Sequence, residues 1–327
     1  MKARALERLG HRVTVLNLLE CLPRNIWLRR LNNWTGYAVC QTEAANFVAR
    51  RLVGRNYDLA WVDGGQMVGP KVMALLRQHA RHLVNYNHDD PTGERDGRAW
   101  GSFKRAVTLY DLLVTVRPET EAELKALGAR QVLRVWRSYD EVDHRPREIT
   151  PDDQTRWGSE VVFVGTWMPE RGAFMAELVR RGLPLAIYGD FWPKAAQWRE
   201  LKAAWRGPAV YGDDYAKAIQ CSKIALGLLS KENRDHHTTR TAEIPALGGL
   251  LCAERTNEHM QLFVEGKEAV LWGDAPECAR VCEEMLANNV RRETITQGGK
   301  VAVHRHGLGN EAILSAVIQK LLKPSSL

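Results

Sequence analysis

Asp235 and Glu243, separated by seven residues, sit in the run DHHTTRTAEIPALGG between two apolar stretches. Thr238, Thr239 and Arg240 lie between them, where a loop gives way to a short helix closed by Gly248-Gly249. A strand-like segment, 223–229 (KIALGLL), leads into the loop, and another, 249–253, follows the helix. Loops at the carboxyl ends of strands are where open α/β sheets bind nucleotides. A helix N-terminus also offers a phosphate unpaired N–H groups and about half a unit of positive charge. The segment is therefore read as a sugar-nucleotide site; the alternative is that both acids cap one helix. A second cluster, Asn87-His88-Asp89-Asp90-Pro91, ends a strand-like segment of the first half. An imidazole beside two carboxylates suits removal of a proton from a hydroxyl, or binding of hydroxyls without removing one. A turn whose aspartates satisfy backbone N–H groups before the proline accounts for the same residues.

Alternating elements must position these groups. In the first half, strands are expected at 12–18, 59–63, 82–87, 111–116 and 131–136, with helices at 1–10, 70–79, 99–110 and 118–127. After the polar stretch 139–158, with its two prolines, the second half continues with strands at 160–164, 185–188, 209–211, 223–229, 249–253 and 269–272. Helices are expected at 170–181, 194–205, 213–220 and near 258–263, then onward to Leu322, with a frayed tail at 323–327. Such alternation implies an α/β chain of two Rossmann-like, doubly wound parallel-sheet domains. The expected boundaries are 1–145, 159–308, and a C-terminal helix and tail at 309–327. Gly64-Gly65 would permit close backbone approach, and Gly165 turns a strand toward the nucleotide. A doubly wound domain ordinarily opens on a central strand and a Gly-rich turn. This sequence opens directly in a helix, so the N-terminal domain is expected to lack its first strand, with the true start lying upstream.

Composition narrows the function classes. At 327 residues, with 45% hydrophobic and 26% charged residues, the chain fits a two-domain globular protein. No apolar run approaches the ~20 residues of a membrane span, and residues 1–10 have no secretory core. The expected location is the cytoplasm, with peripheral contact to the inner face of a membrane as an option. A net charge of +7 suits a phosphate-bearing ligand or an anionic surface, while no arginine-rich arm points to nucleic acid. Six cysteines are scattered; Cys278 and Cys282 are one helical turn apart, but no second pair completes a metal site, so buried free thiols and no metal are expected. Among eleven tryptophans, Trp27 and Trp34 bracket the run WLRRLNNW. It is either a surface segment packing two rings on the core, or one that touches lipid headgroups or a glycan.

FVGTWMPERGAFMAEL, RTAEIPALGGLLCAERT and LFVEGKEAVLW together resemble the C-terminal half of GT-B glycosyltransferases, in particular the spore-maturation, CgeB-like and glycosyltransferase family 1-like branch. The stretch 87–146 (NHDDPTGERDG to YDEVDHRP) is similar to the same branch, so the likeness covers nearly everything beyond Tyr57. The resemblance implies that the second domain holds a nucleoside-diphosphate sugar, a UDP-sugar by default, and the first holds the acceptor, with transfer in an interdomain cleft. It implies no cofactor and no obligatory metal. Glu243 matches the acid that binds the ribose diol, and Asp235 the acid that contacts sugar hydroxyls, where the family more often has Glu. Arg240 and Arg171, with Thr238, Thr239, Gly165 and Thr166, are the diphosphate candidates, since a guanidinium fork suits phosphate oxygens; Arg171 pairing with Glu170 or Glu177 is the plain alternative. His88, Asp89 and Asp90 become the catalytic candidates. The acceptor is a glycan, a lipid-linked sugar, a protein or a small metabolite. Two other functions share this frame: a non-catalytic glycan- or nucleotide-binding protein, and a sugar-nucleotide epimerase.

Overall fold

The structure, a computed structural model, describes residues 1–22 and 25–322; the tail at 323–327 lies outside them. The chain forms two compact units. One, here the N-terminal unit, holds Leu6–Trp136, Glu232–Arg234 and the described residues from Leu314 on. The other, the C-terminal unit, holds Met1–Ala5, Arg137–Lys231 and Asp235–Ile313. The change-over falls at Trp136–Arg137, just ahead of the polar stretch 139–158. The polar stretch is not a bare linker: its Pro151–Trp157 helix starts on a Thr150–Asp153 capping box, and Lys217 pairs with Asp153 at 2.8 Å.

The N-terminal unit is built on a four-stranded sheet in the order β1 (Tyr57–Asp63), β2 (Ala80–Tyr86), β3 (Leu112–Thr115), β4 (Val132–Arg134), all parallel. The central β3 reads LLVT and is buried throughout, while β1 at the edge is largely half-exposed. Trp100, Phe103 and Tyr110 fill the core beneath the sheet. The strand expected at 12–18 does not form; instead a short 3-10 turn occupies Leu18–Cys21. Alternation alone supplies a strand's side-chain pattern, but no described strand pairs with the outer edge of β1, and without a ladder the segment stays irregular.

The C-terminal unit carries a six-stranded parallel sheet. Its strands are β5 (Ser159–Val164), β6 (Leu185–Tyr188), β7 (Trp205–Gly207), β8 (Ser222–Gly227), β9 (Leu251–Glu254) and β10 (Val270–Trp272), in the order β10-β9-β8-β5-β6-β7. Val161, Phe163, Ile224 and Leu226 from the central strands join Trp192 and Met175 in the core. The strand expected at 209–211 is displaced to Trp205–Gly207, where Trp205 aligns with Ile187 of β6. The helix expected at 194–205 shrinks to Trp198–Leu201, because Trp192-Pro193-Lys194 takes a 3-10 turn instead.

Candidate functional site

Strand order in the C-terminal sheet reverses between β5 and β8: successive elements run outward through β6 and β7 on one side, and through β9 and β10 on the other. The connections leaving two such neighbours diverge to opposite faces, opening a crevice at their carboxyl ends. Gly165-Thr166 follows β5 directly, and 228–238 follows β8. The Gly165 N–H donates to Tyr188 O at 2.9 Å, and Trp192 Nε1 donates to Gly165 O at 2.9 Å. At Gly189 a Cβ would lie 1.9 Å from Gly165 O, so only glycine allows β6 to turn this close to β5.

Carbonyl oxygens point out of a parallel sheet at this edge and repel an anion. Two arginines cover them. Arg171 donates from Nε to Leu229 O at 3.2 Å, from Nη1 to Thr166 O at 2.9 Å, and from Nη2 to Leu228 and Leu229 O at 3.3 and 3.1 Å. It pairs with neither Glu170 nor Glu177: Glu177 goes to Arg180 and Arg181. Burial lowers the Arg171 pKa from its ordinary value, a cost met because three carbonyls share the charge. Arg240 donates from Nε to Val164 O at 3.2 Å, and its guanidinium lies 4.2 Å from the Tyr215 ring centre. The rim is thereby changed from acceptor to cation.

Glu243 lies inside the Thr239–Ala246 helix and is largely buried. Its Oε2 accepts from the Tyr215 hydroxyl at 3.0 Å and from Arg240 Nη1. Its Oε1 lies 3.7 Å from His144 Nε2. Burial opposes the charge, but Arg240, His144 and Tyr215 outweigh it and hold the carboxyl below the usual range. One oxygen is thus spent inside the protein, so the carboxylate is fixed in place at the cost of one of its acceptor faces. It does not cap the helix; Thr238 holds that position, and its N–H donates to Thr241 Oγ1 at 3.1 Å. Thr238 and Thr239 are half-buried at the helix start.

Asp235, in the same loop, accepts from Arg137 Nη2 at 3.0 Å, with both side chains nearly buried. Behind it stands a layer that sequence reasoning missed. The Arg137 N–H donates to His237 Nε2 at 2.9 Å, so His237 must carry its proton on Nδ1, which faces Glu258 Oε2 at 2.5 Å. Burial lowers the His237 pKa, in keeping with a neutral ring. His259 works the same way: Nδ1 donates to Glu254 O at 2.6 Å, and Nε2 accepts from the Thr241 hydroxyl at 2.9 Å. Burial lowers its pKa to about 4. Thr241 can then accept from the Thr238 N–H, which fixes the first turn of the helix. The adjacent histidines 236 and 237, inside a loop otherwise rich in small polar residues, were the one sequence signal for this layer.

In the N-terminal unit the 87–91 cluster divides. Asn87 Oδ1 accepts from the Asp89 N–H at 2.9 Å, so an asparagine, not an aspartate, closes this turn. Asp90 departs from the catalytic expectation. It is buried and accepts from Gly93 N–H, Thr120 Oγ1, and Arg234 Nε and Nη2 at 3.1, 3.0, 2.6 and 2.8 Å. Burial opposes its charge, but Arg234 and Thr120 prevail and its pKa is lowered. A carboxylate so occupied is an internal anchor and a poor proton acceptor. Arg234, which also pairs with Glu123, holds a left-handed φ of 49°, a conformation that these bonds maintain. Asp89 is exposed with Arg95 at 3.5 Å, and the half-buried His88 ring lies 4.9 Å from that of Tyr86.

The expected cysteine pair also gains a member. Cys252 of β9 joins Cys278 and Cys282, their sulfurs all within 4.8 Å, inside the core of the C-terminal unit. Their neighbours there are apolar, as buried thiols prefer.

Residues 171–311 match a family model described as glycosyl transferase-like. No curated protein matches the chain. Among solved structures, the chain is similar to HepE of Anabaena in complex with UDP and glucose, with 15% identity, 89% of this chain and 83% of that one covered, and a TM-score of 0.64. It is similar to sucrose-phosphate synthase of Thermosynechococcus elongatus, with 13% identity, 92% and 80% covered, and a TM-score of 0.64. It is also similar to S. aureus TarM, with 11% identity, 86% and 58% covered, and a TM-score of 0.61. The two parallel-sheet units are those of the GT-B fold. Among the described residues no helix is long and apolar enough to cross a membrane.

Proposed function

We propose that the protein transfers a sugar from a nucleoside-diphosphate sugar, with the donor held at the β5–β8 edge of the C-terminal unit. The observation that carries this is the gathering there of Arg171, Arg240 and Glu243, each bonded to the ends of the two strands or to one another. Glu243 Oε1 takes the ribose hydroxyls. Arg240, the Thr238 and Thr239 hydroxyls and the first N–H groups of the helix face the diphosphate, whose charge grows as the sugar leaves. Arg171 and the turn at Gly165-Thr166 complete the wall. Asp235, oriented by Arg137, contacts the sugar hydroxyls. UDP is the preferred nucleotide, in line with the ligand bound to HepE, and the sequence motifs favour a CgeB-like member of the class. On the acceptor side, His88 or Asp89 binds or deprotonates the incoming hydroxyl, with Asp90 holding their turn.

Calorimetric titration of the full chain with UDP tests the donor site. Uptake is expected, and Glu243→Gln weakens it by about 1.5–3 kcal/mol, tenfold or more, while keeping side-chain shape and the Tyr215 contact. Unchanged affinity in a variant with the same melting temperature removes Glu243 from the site. Incubation with UDP-sugars then separates transfer from hydrolysis, epimerisation or binding without turnover.

A further inference from the structure

The Ile26–Trp34 helix of the N-terminal unit is amphipathic in the reverse sense to a helix on a soluble core. Trp27, Leu31 and Trp34, at i, i+4 and i+7, share one face. That face is turned to solvent: Trp27 is 70% exposed, Trp34 65% and Ile26 64%, whereas the polar Asn32 is 5% exposed and faces the protein. Neither ring packs on the core, which sets aside the plainer expectation for this segment. The mount is firm. Asn25 Oδ1 caps the Trp27 N–H at 2.8 Å, and past the far end Gly36 O accepts from the Ser102 N–H and hydroxyl at 2.9 and 2.6 Å. A Cβ on Gly36 would lie 2.5 Å from Arg98 O, so the chain is pressed against its support.

We infer that this helix docks the protein on a bilayer surface rich in anionic lipid. Charge selects that occupant. Between Glu20 and Glu43 there is no acidic residue, while Arg24, Arg29 and Arg30 fall there. Arg30 lies 5.2 Å from the Trp27 ring centre and Arg98 5.8 Å from that of Trp34, so guanidiniums rim the apolar face. Tryptophan and arginine belong at headgroup depth, the ring partly buried and the cation reaching phosphate. A second copy docking two-fold on the same face would bring Arg29 and Arg30 against their own counterparts, with no acid between Glu20 and Glu43 to meet them.

The test is flotation of the full chain with vesicles of phosphatidylcholine alone, or of equal parts phosphatidylcholine and phosphatidylglycerol. Recovery is expected with the anionic vesicles only, falling as salt is raised. Arg29→Gln with Arg30→Gln should weaken binding about fivefold per arginine, from ~1 kcal/mol per basic residue near such a surface. Trp27→Ser with Trp34→Ser should weaken it about tenfold or more. All four side chains are exposed, so melting temperatures are expected to hold, and either pair decides the matter alone. Equal recovery with both lipids, recovery with neither, or binding indifferent to both pairs overturns the inference. So does lipid-free self-association that the tryptophan pair abolishes, which would mark a second copy as the occupant. Vesicle binding requires no sugar transfer, so it stands or falls apart from the proposed reaction.

Discussion

The two sheets differ in one topological respect, and their chemistry follows it. In the C-terminal sheet the order reverses at β5–β8, and the charged groups crowd there, each bonded to strand ends or to a partner fixed by another layer. In the N-terminal sheet the described strands run β1 to β4 in one direction without a reversal. Its chemistry-bearing residues sit on a turn instead, where one carboxylate is buried in a network and its neighbour is exposed. The first arrangement is held rigid by its own bonds, as the proposed donor site requires; the second is an anchored platform with a few adaptable groups. A donor common to many reactions suits the first, and an acceptor that varies suits the second.

The sharpest way to break this contrast is within the pair Asp89 and Asp90. One of Asp89→Asn or His88→Gln should lower donor turnover by about a hundredfold or more, the contribution of a general base, with stability changed by less than about 0.5 kcal/mol. Asp90→Ala should instead cost about 2–3 kcal/mol in denaturant unfolding, because it leaves Arg234 and the Gly93 N–H short of an acceptor. A stable Asp90→Ala protein with abolished turnover would reverse these roles and return Asp90 to the catalytic group.

A smaller effect sharpens the other side. His259 is neutral in the fold, with its pKa lowered to about 4, against about 6.5 in an unfolded chain. The unfolded state therefore binds the extra proton between these values. Stability from this group is complete above about pH 6.5 and falls by about 1.4 kcal/mol per pH unit as pH drops toward 4. Comparing unfolding free energies of the protein and His259→Gln across that window should show a shallower slope in the variant. Parallel slopes would mean that His259 is not buried neutral against Thr241.

Much of the frame was legible from the sequence because alternation and turn residues encode it locally. The Pro70–His79 helix and the 185–188 strand fall where periodicity put them, and the helices from Pro118 and Pro169 begin within one residue of their expected starts. Strand order was not legible, since it depends on which ladders pair, and the failed strand at 12–18 shows that pattern without a partner is insufficient. At the site, Asp235 and Glu243 stood out by spacing, and Arg240 entered through the family resemblance. Tyr215, His144 and His259 did not, because their roles arise only when distant segments meet. Trp27 and Trp34 carry the same helical pattern whether it faces a core or solvent, so exposure had to come from the structure.

A crystal structure of the full chain grown with UDP tests the central assignment most directly. The ribose is expected against Glu243 Oε1, with the diphosphate at Thr238–Arg240 beside the ends of β5 and β8. Nucleotide bound elsewhere on the chain, or a crevice empty with UDP in excess, contradicts it.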